Sequence, residues 1–126
     1  MTHWRLDVDR GPGWIFVRIH PPRVNGFDAQ EHEPGELAER IWDVLLLNHC
    51  YRVVLEMDAI DLIMSALLGQ LVQLSKRVHS HDGILRISGL SLTNQDILRT
   101  CRLDSALPHF QNREHAVMGY RPLQPR

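Results

Sequence analysis

Residues 53–78 read VVLEMDAIDLIMSALLGQLVQLSKRV and constrain the fold more than any other stretch. A short apolar run, Val53-Val54-Leu55, leads into a polar-studded connection, Asp58-Ala59-Ile60-Asp61. Ser65 then opens a long amphipathic segment. Leu67, Leu68, Leu71, Val72, Leu74 and Val78 fall mostly on one side at helical spacing, with Gln70, Gln73, Lys76 and Arg77 on the wetter side. The pattern predicts a strand over Arg52 to Met57 and a helix from about Ala66 to His79. A serine directly before such a pattern is a candidate N-cap, because its oxygen can accept a bond from a free first-turn N–H. Its hydroxyl then lies near the surface at the positive end of the helix dipole, where a phosphate is tolerated. Two readings stay open: a docking edge with a switchable hydroxyl, or a well-capped helix.

The flanking sequence supplies more elements. Trp4 to Val8 alternates apolar and polar residues, Gly11-Pro12-Gly13 signals a turn, and Trp14 to Ile19 is rich in β-formers. These segments predict a hairpin that ends at Pro21-Pro22, since proline cannot donate to a ladder. Arg23 to Glu33, with Asn25-Gly26, reads as a loop. Pro34 suits the first position of a helix carrying Leu37, Ile41, Trp42, Leu45 and Leu46. His81-Asp82-Gly83 is a turn and Ile84 to Ile87 a strand. Thr93 is placed to cap a short helix through Cys101, His109-Phe110 to form a short edge strand, and Asn112 to cap a last helix over Arg113 to Met118. Alternating strands and helices predict an α/β fold. It has a single mixed β-sheet of four to five strands, with helices packed mainly on one face. One domain is expected, with a core from about 4 to 118 and a frayed tail over 120–126. Val54, Leu55, Leu71, Ile84, Leu85 and Ile97 are the expected core.

From Val53 to Val117 the order of these pieces resembles STAS domains, the fold of bacterial anti-sigma factor antagonists. That family has a strand, a connection ending in an Asp-Ser-Ser-Gly-Leu-Gly-like motif, then a helix. The corresponding residues are Met64-Ser65-Ala66-Leu67-Leu68-Gly69. Gly83 before Ile84-Leu85-Arg86-Ile87, the turn Gly89-Leu90-Ser91, then Leu107-Pro108-His109-Phe110 continue the likeness. Upstream of Val53 the resemblance lies only in element order. Ser65 falls where the family's phosphorylated serine sits. Met64 replaces the family's acid, Ala66 its second serine and Leu67 its first glycine; Ser65, Leu68 and Gly69 remain. The resemblance implies a protein–protein interaction module in a partner-switching circuit, not an enzyme. Its partner would be a serine-kinase-type anti-sigma factor, with Ser65 the candidate phospho-acceptor. Asp58, Asp61, Met64, Ala66 and Leu67 are the candidate docking residues. Bulky Met64 and Leu67 are expected to form an exposed apolar patch, with Leu68 in the core. A degenerate, non-phosphorylated scaffold or a self-associating subunit, such as a homodimer, is the alternative.

Composition narrows the other classes. The net charge is −1 with histidines neutral, so no whole-chain basic field for nucleic acid exists. No apolar run approaches the roughly 20 residues that span a bilayer. The N-terminus lacks the apolar core of a signal peptide. Cys50 and Cys101 form no CxxC or metal-like spacing and are expected as small core residues. A reduced, cytoplasmic protein follows. The eight histidines raise a third reading, a small metal protein or enzyme using them with Asp58 and Asp61. His79 and His81 are two apart with Asp82 beside them, zinc takes three or four converging ligands, and His109 and His115 would join only by accident of folding, so surface histidines are expected. No P-loop, nucleophile elbow or dinucleotide fingerprint is present. No cofactor and no metal site are therefore expected. Arg99, Arg102 and Arg113 are expected to form a modest basic cluster.

Overall fold

The computed structural model describes residues 3–29 and 32–120. The expected tail therefore lies, but for Tyr120, outside the described residues. Two strands, β1 (Arg5–Gly11) and β2 (Trp14–His20), form the expected antiparallel hairpin. β5 (Arg52–Glu56), β6 (Ile84–Ser88) and β7 (His109–Phe110) follow in parallel, giving a five-stranded mixed sheet in the order β1-β2-β5-β6-β7. Between β2 and β5 lie two-residue strands, β3 (Arg23–Val24) and β4 (Phe27–Asp28), and helix α1 (Leu37–Leu47). Helix α2 (Ser65–Ser80) joins β5 to β6, and α3 (Leu92–Thr100) joins β6 to β7. Helix α4 (Arg113–Met118) follows β7.

The period of two in the strands sorts their side chains onto two faces. Ile15, Val17 and Ile19 of β2, Val53 and Leu55 of β5, and Leu85 and Ile87 of β6 share one core with α1, α2 and α3. Trp14, Phe16, Val54 and Phe110 point the other way and meet Ala116 of α4. Three helices thus cover one face and the shortest covers the other. Sheets covered on both faces have central strands that read as continuous apolar runs, which is why Val53, Val54 and Leu55 are all fully buried.

Several local expectations are corrected. The segment read as a loop holds the β3–β4 hairpin. Asn25 and Gly26 both take positive φ, 53° and 81°, the conformation that two-residue hairpin turns require. α1 starts at Leu37 rather than Pro34, and Glu36 provides no side-chain cap. Instead Gln70 of α2 reaches across, and its Oε1 accepts from the Ala38 N–H at 2.8 Å. A first-turn donor is thereby satisfied by tertiary contact. Leu46 turns out of the stripe and is exposed. Ser91, not Thr93, caps α3, accepting from the Asn94 N–H at 3.1 Å. That places Leu98 in the core and leaves Ile97 half-buried. Ile84 is also half-buried, because it faces the α4 side. Cys101 is exposed and Cys50 half-buried, so neither is a core residue; both are free thiols. Asn112 caps α4 as expected, accepting from the His115 N–H at 2.9 Å.

Two of the three arginines are tied up in ion pairs of their own. Arg99 pairs with Asp96 at 2.8 Å. Arg113 opens α4, and its Nε and Nη2 donate to Glu56 while Nη1 donates to Asp9.

Candidate functional site

The connection from β5 to α2 is held by alternate anchoring. Met57, Ile60 and Ile63 are buried at 0, 3 and 4% exposure. Asp58, Asp61 and Leu62 between them, and Met64 just after, face outward. Apolar side chains pulled into the core at this spacing force the intervening residues onto the surface. The Met57 N–H bonds the Ser88 carbonyl at 2.9 Å, and the Ile60 N–H bonds the Met57 carbonyl at 3.0 Å.

Asn94 of α3 clamps this connection from the side. Its amide is fully buried. Oδ1 accepts from the Ile63 N–H at 3.0 Å, and Nδ2 donates to the carbonyls of Ile60 and Asp61 at 3.1 and 3.3 Å. Buried backbone polar groups need such partners, so one side chain sets the path of the segment leading to Ser65. Nothing in the sequence singled Asn94 out, because an asparagine in the first turn of a helix ordinarily faces solvent. Leu62 was missed for a similar reason: only the burial of Ile60 and Ile63 pushes it outward.

Ser65 is the first residue of α2, one position inside the helix from where it was expected. Met64 is the N-cap, with extended backbone at φ −85° and ψ 160°, and no side chain caps the turn. The Met64 carbonyl accepts the first helical bond, from the Leu68 N–H at 3.0 Å. Two buried neighbours, Ile63 and Leu67, impose this start. The Ser65 side chain is exposed. No acidic residue lies in this first turn, and the helix's positive end favours an anion there.

The candidate docking residues divide. Met64 is 40% exposed and Leu62, not foreseen, is 42% exposed; Asp58 and Asp61 are exposed as well. Leu67, expected outside, is buried and belongs to the core, while Leu68, expected inside, is only partly buried. The α2 face that meets α1 and the sheet runs through Leu67, Leu71, Leu74 and Val78, which leaves Leu68 at its margin. Ala66 is half-buried. Asp58 lies 3.9 Å from Arg18 and packs against Gly89. Gly89 has φ +77°, and a Cβ there would run into the Asp58 carboxylate.

Among the described residues no group of three or more His, Cys, Asp or Glu could hold a metal. His79 is engaged with the Ser75 carbonyl at 2.8 Å, and His81 packs on Trp42 with centroids 4.6 Å apart. Asp58 and Asp61 are both exposed on the connection between β5 and α2. No described helix is long and apolar enough to cross a membrane.

The charged network sits on the opposite face. Hydrogen bonds from Arg113 and then from the Arg10 N–H hold the Asp9 carboxyl below its ordinary range. The bond to Glu56 raises Arg113 above the usual guanidinium value. Arg18, 4.0 Å from Glu56 and 3.9 Å from Asp58, links this network to the start of the Ser65 connection.

The STAS domain family model matches residues 31–116. No curated protein matches the chain in sequence. Among solved structures, the fold is similar to a putative anti-sigma factor antagonist from Thermotoga maritima, at 14% identity over 90% of this chain and 92% of that one, TM-score 0.72. It is also similar to an anti-sigma factor antagonist from Mycobacterium paratuberculosis, at 12% identity over 94% of each chain, TM-score 0.68. A third neighbour is the anti-sigma factor antagonist SpoIIAA in its unphosphorylated form, at 11% identity over 94% of this chain and 100% of that one, TM-score 0.65. SpoIIAA, a Bacillus cell fate determinant, also has a structure in the phosphorylated form. At these identities the likeness shows the fold.

Proposed function

This chain belongs to the STAS domain family, and on that premise we propose that it is a single-domain anti-sigma factor antagonist acting by protein–protein contact. Its partner is an anti-sigma factor of the serine-kinase type, and Ser65 is the phospho-acceptor. The carrying observation is the exposed Ser65 hydroxyl at the first position of α2, flanked by the exposed apolar residues Leu62 and Met64. In the unmodified chain those side chains bury against the partner. A phosphate at Ser65 brings close to two negative charges and their hydration to that surface, which opposes burial. The nearby helix N-terminus tolerates the same phosphate, so modification alters the contact and not the fold. This role needs no catalytic group, cofactor or metal, and it places the protein in the bacterial cytoplasm.

One departure favours the second reading, a scaffold that is never phosphorylated. Met64 stands where the family carries an acid, so a kinase that reads that acid would find an apolar side chain. Affinity capture from the native cell, with the phosphorylation state of Ser65 read by mass spectrometry, tests both. A co-purifying anti-sigma kinase and a phosphate on Ser65 support the switch. An unmodified Ser65 under all growth conditions, with a partner still bound, supports the scaffold.

A further inference from the structure

Asn94 holds the backbone on both sides of Leu62. The carbonyl of Asp61 belongs to the peptide group that precedes Leu62, and the N–H of Ile63 to the one that follows it. Asn94 Nδ2 donates to the first at 3.3 Å, and Asn94 Oδ1 accepts from the second at 3.0 Å. Rotation between two successive peptide planes is the whole backbone freedom of the residue between them. One side chain therefore fixes the turn at Leu62, which is 42% exposed, and with it the approach to Met64 and Ser65. We propose that Asn94 is a positioning residue for partner binding: it presents Leu62 and Met64 as a preformed contact without itself being touched by the partner. The proposal rests on the reading of the chain as a protein-binding module with its contact beside Ser65.

The bonds demand this residue type. The segment offers one donor, the Ile63 N–H, and two acceptors, the carbonyls of Asp61 and of Ile60, the latter at 3.1 Å. A primary amide meets both kinds at once, whereas a carboxylate only accepts and an aliphatic side chain does neither. Asn94 is 0% exposed, so removing its amide leaves buried backbone groups unpaired. The amide is itself held in place. Ser91 Oγ accepts from the Asn94 N–H at 3.1 Å, and Leu98, one turn on, is buried in the core. Two backbone bonds pin the ends of the segment, the Ile60 N–H on the Met57 carbonyl and the Leu68 N–H on the Met64 carbonyl, each at 3.0 Å. Between those points Asn94 supplies three bonds to the backbone. A partner that buries Leu62 and Met64 meets them already ordered, so binding need not order the loop.

The test begins without a partner. Hydrogen exchange of the full chain, followed by 1H–15N NMR and expressed as protection over the unfolded chain, reads the grip at the Ile63 N–H. Asn94→Ala should lower that protection at least about tenfold relative to Val54 and Leu55, the scale of one lost hydrogen bond. Val78→Ala, which opens a cavity at the far end of α2, should not single out Ile63. Asn94→Asp keeps the acceptor and serves where the alanine variant does not fold. At pH 7 its carboxylate faces two carbonyl oxygens and pushes them off; on acidification it takes up a proton and can donate again. Its Ile63 protection, as a ratio to wild type at the same pH, should therefore recover between pH 7 and about pH 4. Asp61 titrates nearby but is common to both proteins, so the ratio removes it. The second arm titrates the purified protein recovered by affinity capture. Asn94→Ala should bind it at least about tenfold more weakly, Val78→Ala as wild type does, and Asn94→Asp should regain affinity on acidification. Unchanged protection at Ile63 in Asn94→Ala overturns the grip. Lost protection with unchanged affinity, or an equal loss of affinity in Val78→Ala, overturns the positioning role. The docking reading fails separately: Leu62→Asp and Met64→Asp binding as wild type would remove the contact beside Ser65, whatever the exchange shows.

Discussion

Arg113 closes on Glu56 through two parallel hydrogen bonds, Nε to Oε2 at 3.0 Å and Nη2 to Oε1 at 2.7 Å. The Glu56 side chain is only 6% exposed and that of Arg113 32%. The pair fastens α4 to β5, and the guanidinium also lies 4.1 Å over the Phe16 ring. A bidentate arginine–carboxylate pair is geometrically specific, but its net contribution to stability is small once desolvation is counted. Breaking it from one side is costly, because a buried charge is left behind. Arg113→Ala should therefore destabilise by about 3 kcal/mol. Arg113→Leu with Glu56→Leu should cost clearly less than the sum of the two single changes. Urea unfolding of wild type, Arg113→Ala, the two single leucine variants and the double variant measures this; additive losses would mean that the pair does not act as a unit.

Asp9 completes the network, with Oδ2 at 2.8 Å from Arg113 Nη1. Its pKa is lowered in the folded chain, chiefly by the hydrogen bond from Arg113. A lowered carboxyl pKa stabilises the fold above the unfolded value of about 3.9, and that stabilisation is lost as pH falls through the folded value. Asp9→Asn should consequently be less stable than wild type at neutral pH. The gap should hold down to about pH 4 and close at more acid pH. Urea midpoints at several pH values check the sign; a gap that widens on acidification contradicts it.

Leu67 and Met64 are three residues apart in sequence and opposite in environment. Leu67 is 1% exposed and Met64 40%. Leu67→Ala removes packed methyl groups and should cost about 2–5 kcal/mol. Met64→Ala should cost within about 0.5 kcal/mol, since it lies at the surface. Denaturant titration separates the two, and equal losses would show that the inward face of α2 was placed wrongly.

Much of this architecture is written in local pattern. The β1–β2 hairpin, β5, α2 and β6 could be read because their side chains repeat at 2.0 or 3.6 residues and turn residues bound them. The Asn112 cap was legible for the same kind of reason: its signal and its effect lie within three residues. What was not legible depends on contacts distant in sequence. Glu56 and Arg113 are 57 residues apart, and Asn94 reaches Ile63 across 31. The helix start shifted by one residue because the burial of Ile63 and Leu67 sets it, while local chemistry offers the serine. Leu67 and Leu68 exchanged roles on the same account: periodicity gives a stripe, and neighbouring elements decide its centre.

Gly89 and Asp58 form a second distant pair. With φ at +77°, an L side chain at position 89 is strained in any case, and here it also meets the Asp58 carboxylate. Gly89→Ala should destabilise by at least about 1 kcal/mol, the cost of left-handed backbone for a residue bearing Cβ. Asp58→Ala should recover the steric part but not the backbone part. A double-mutant cycle on thermal unfolding gives the coupling, expected above about 0.5 kcal/mol for residues in contact. No coupling would mean that the two do not touch.

Ser65 gives the decisive comparison for function. Because Met64 occupies the cap, Ser65→Ala removes no capping bond, and stability should change by no more than about 0.5 kcal/mol. Ser65→Asp places a carboxylate in the first turn of α2, where the dipole favours it by about 0.3–1 kcal/mol. The aspartate variant should thus be as stable as wild type or slightly more so, with the gain shrinking at high salt. Binding should move in the opposite direction. Alanine leaves the surface between Leu62 and Met64 uncharged, so affinity for the captured partner should persist. Aspartate must lose its hydration when that surface is buried, and affinity should fall. The fall underestimates that of phosphoserine, which carries more charge. Calorimetric titration paired with thermal melts resolves the two effects. Weaker binding without destabilisation marks a charge-controlled contact at Ser65, whereas equal affinities of all three proteins remove the switch and leave the constitutive scaffold.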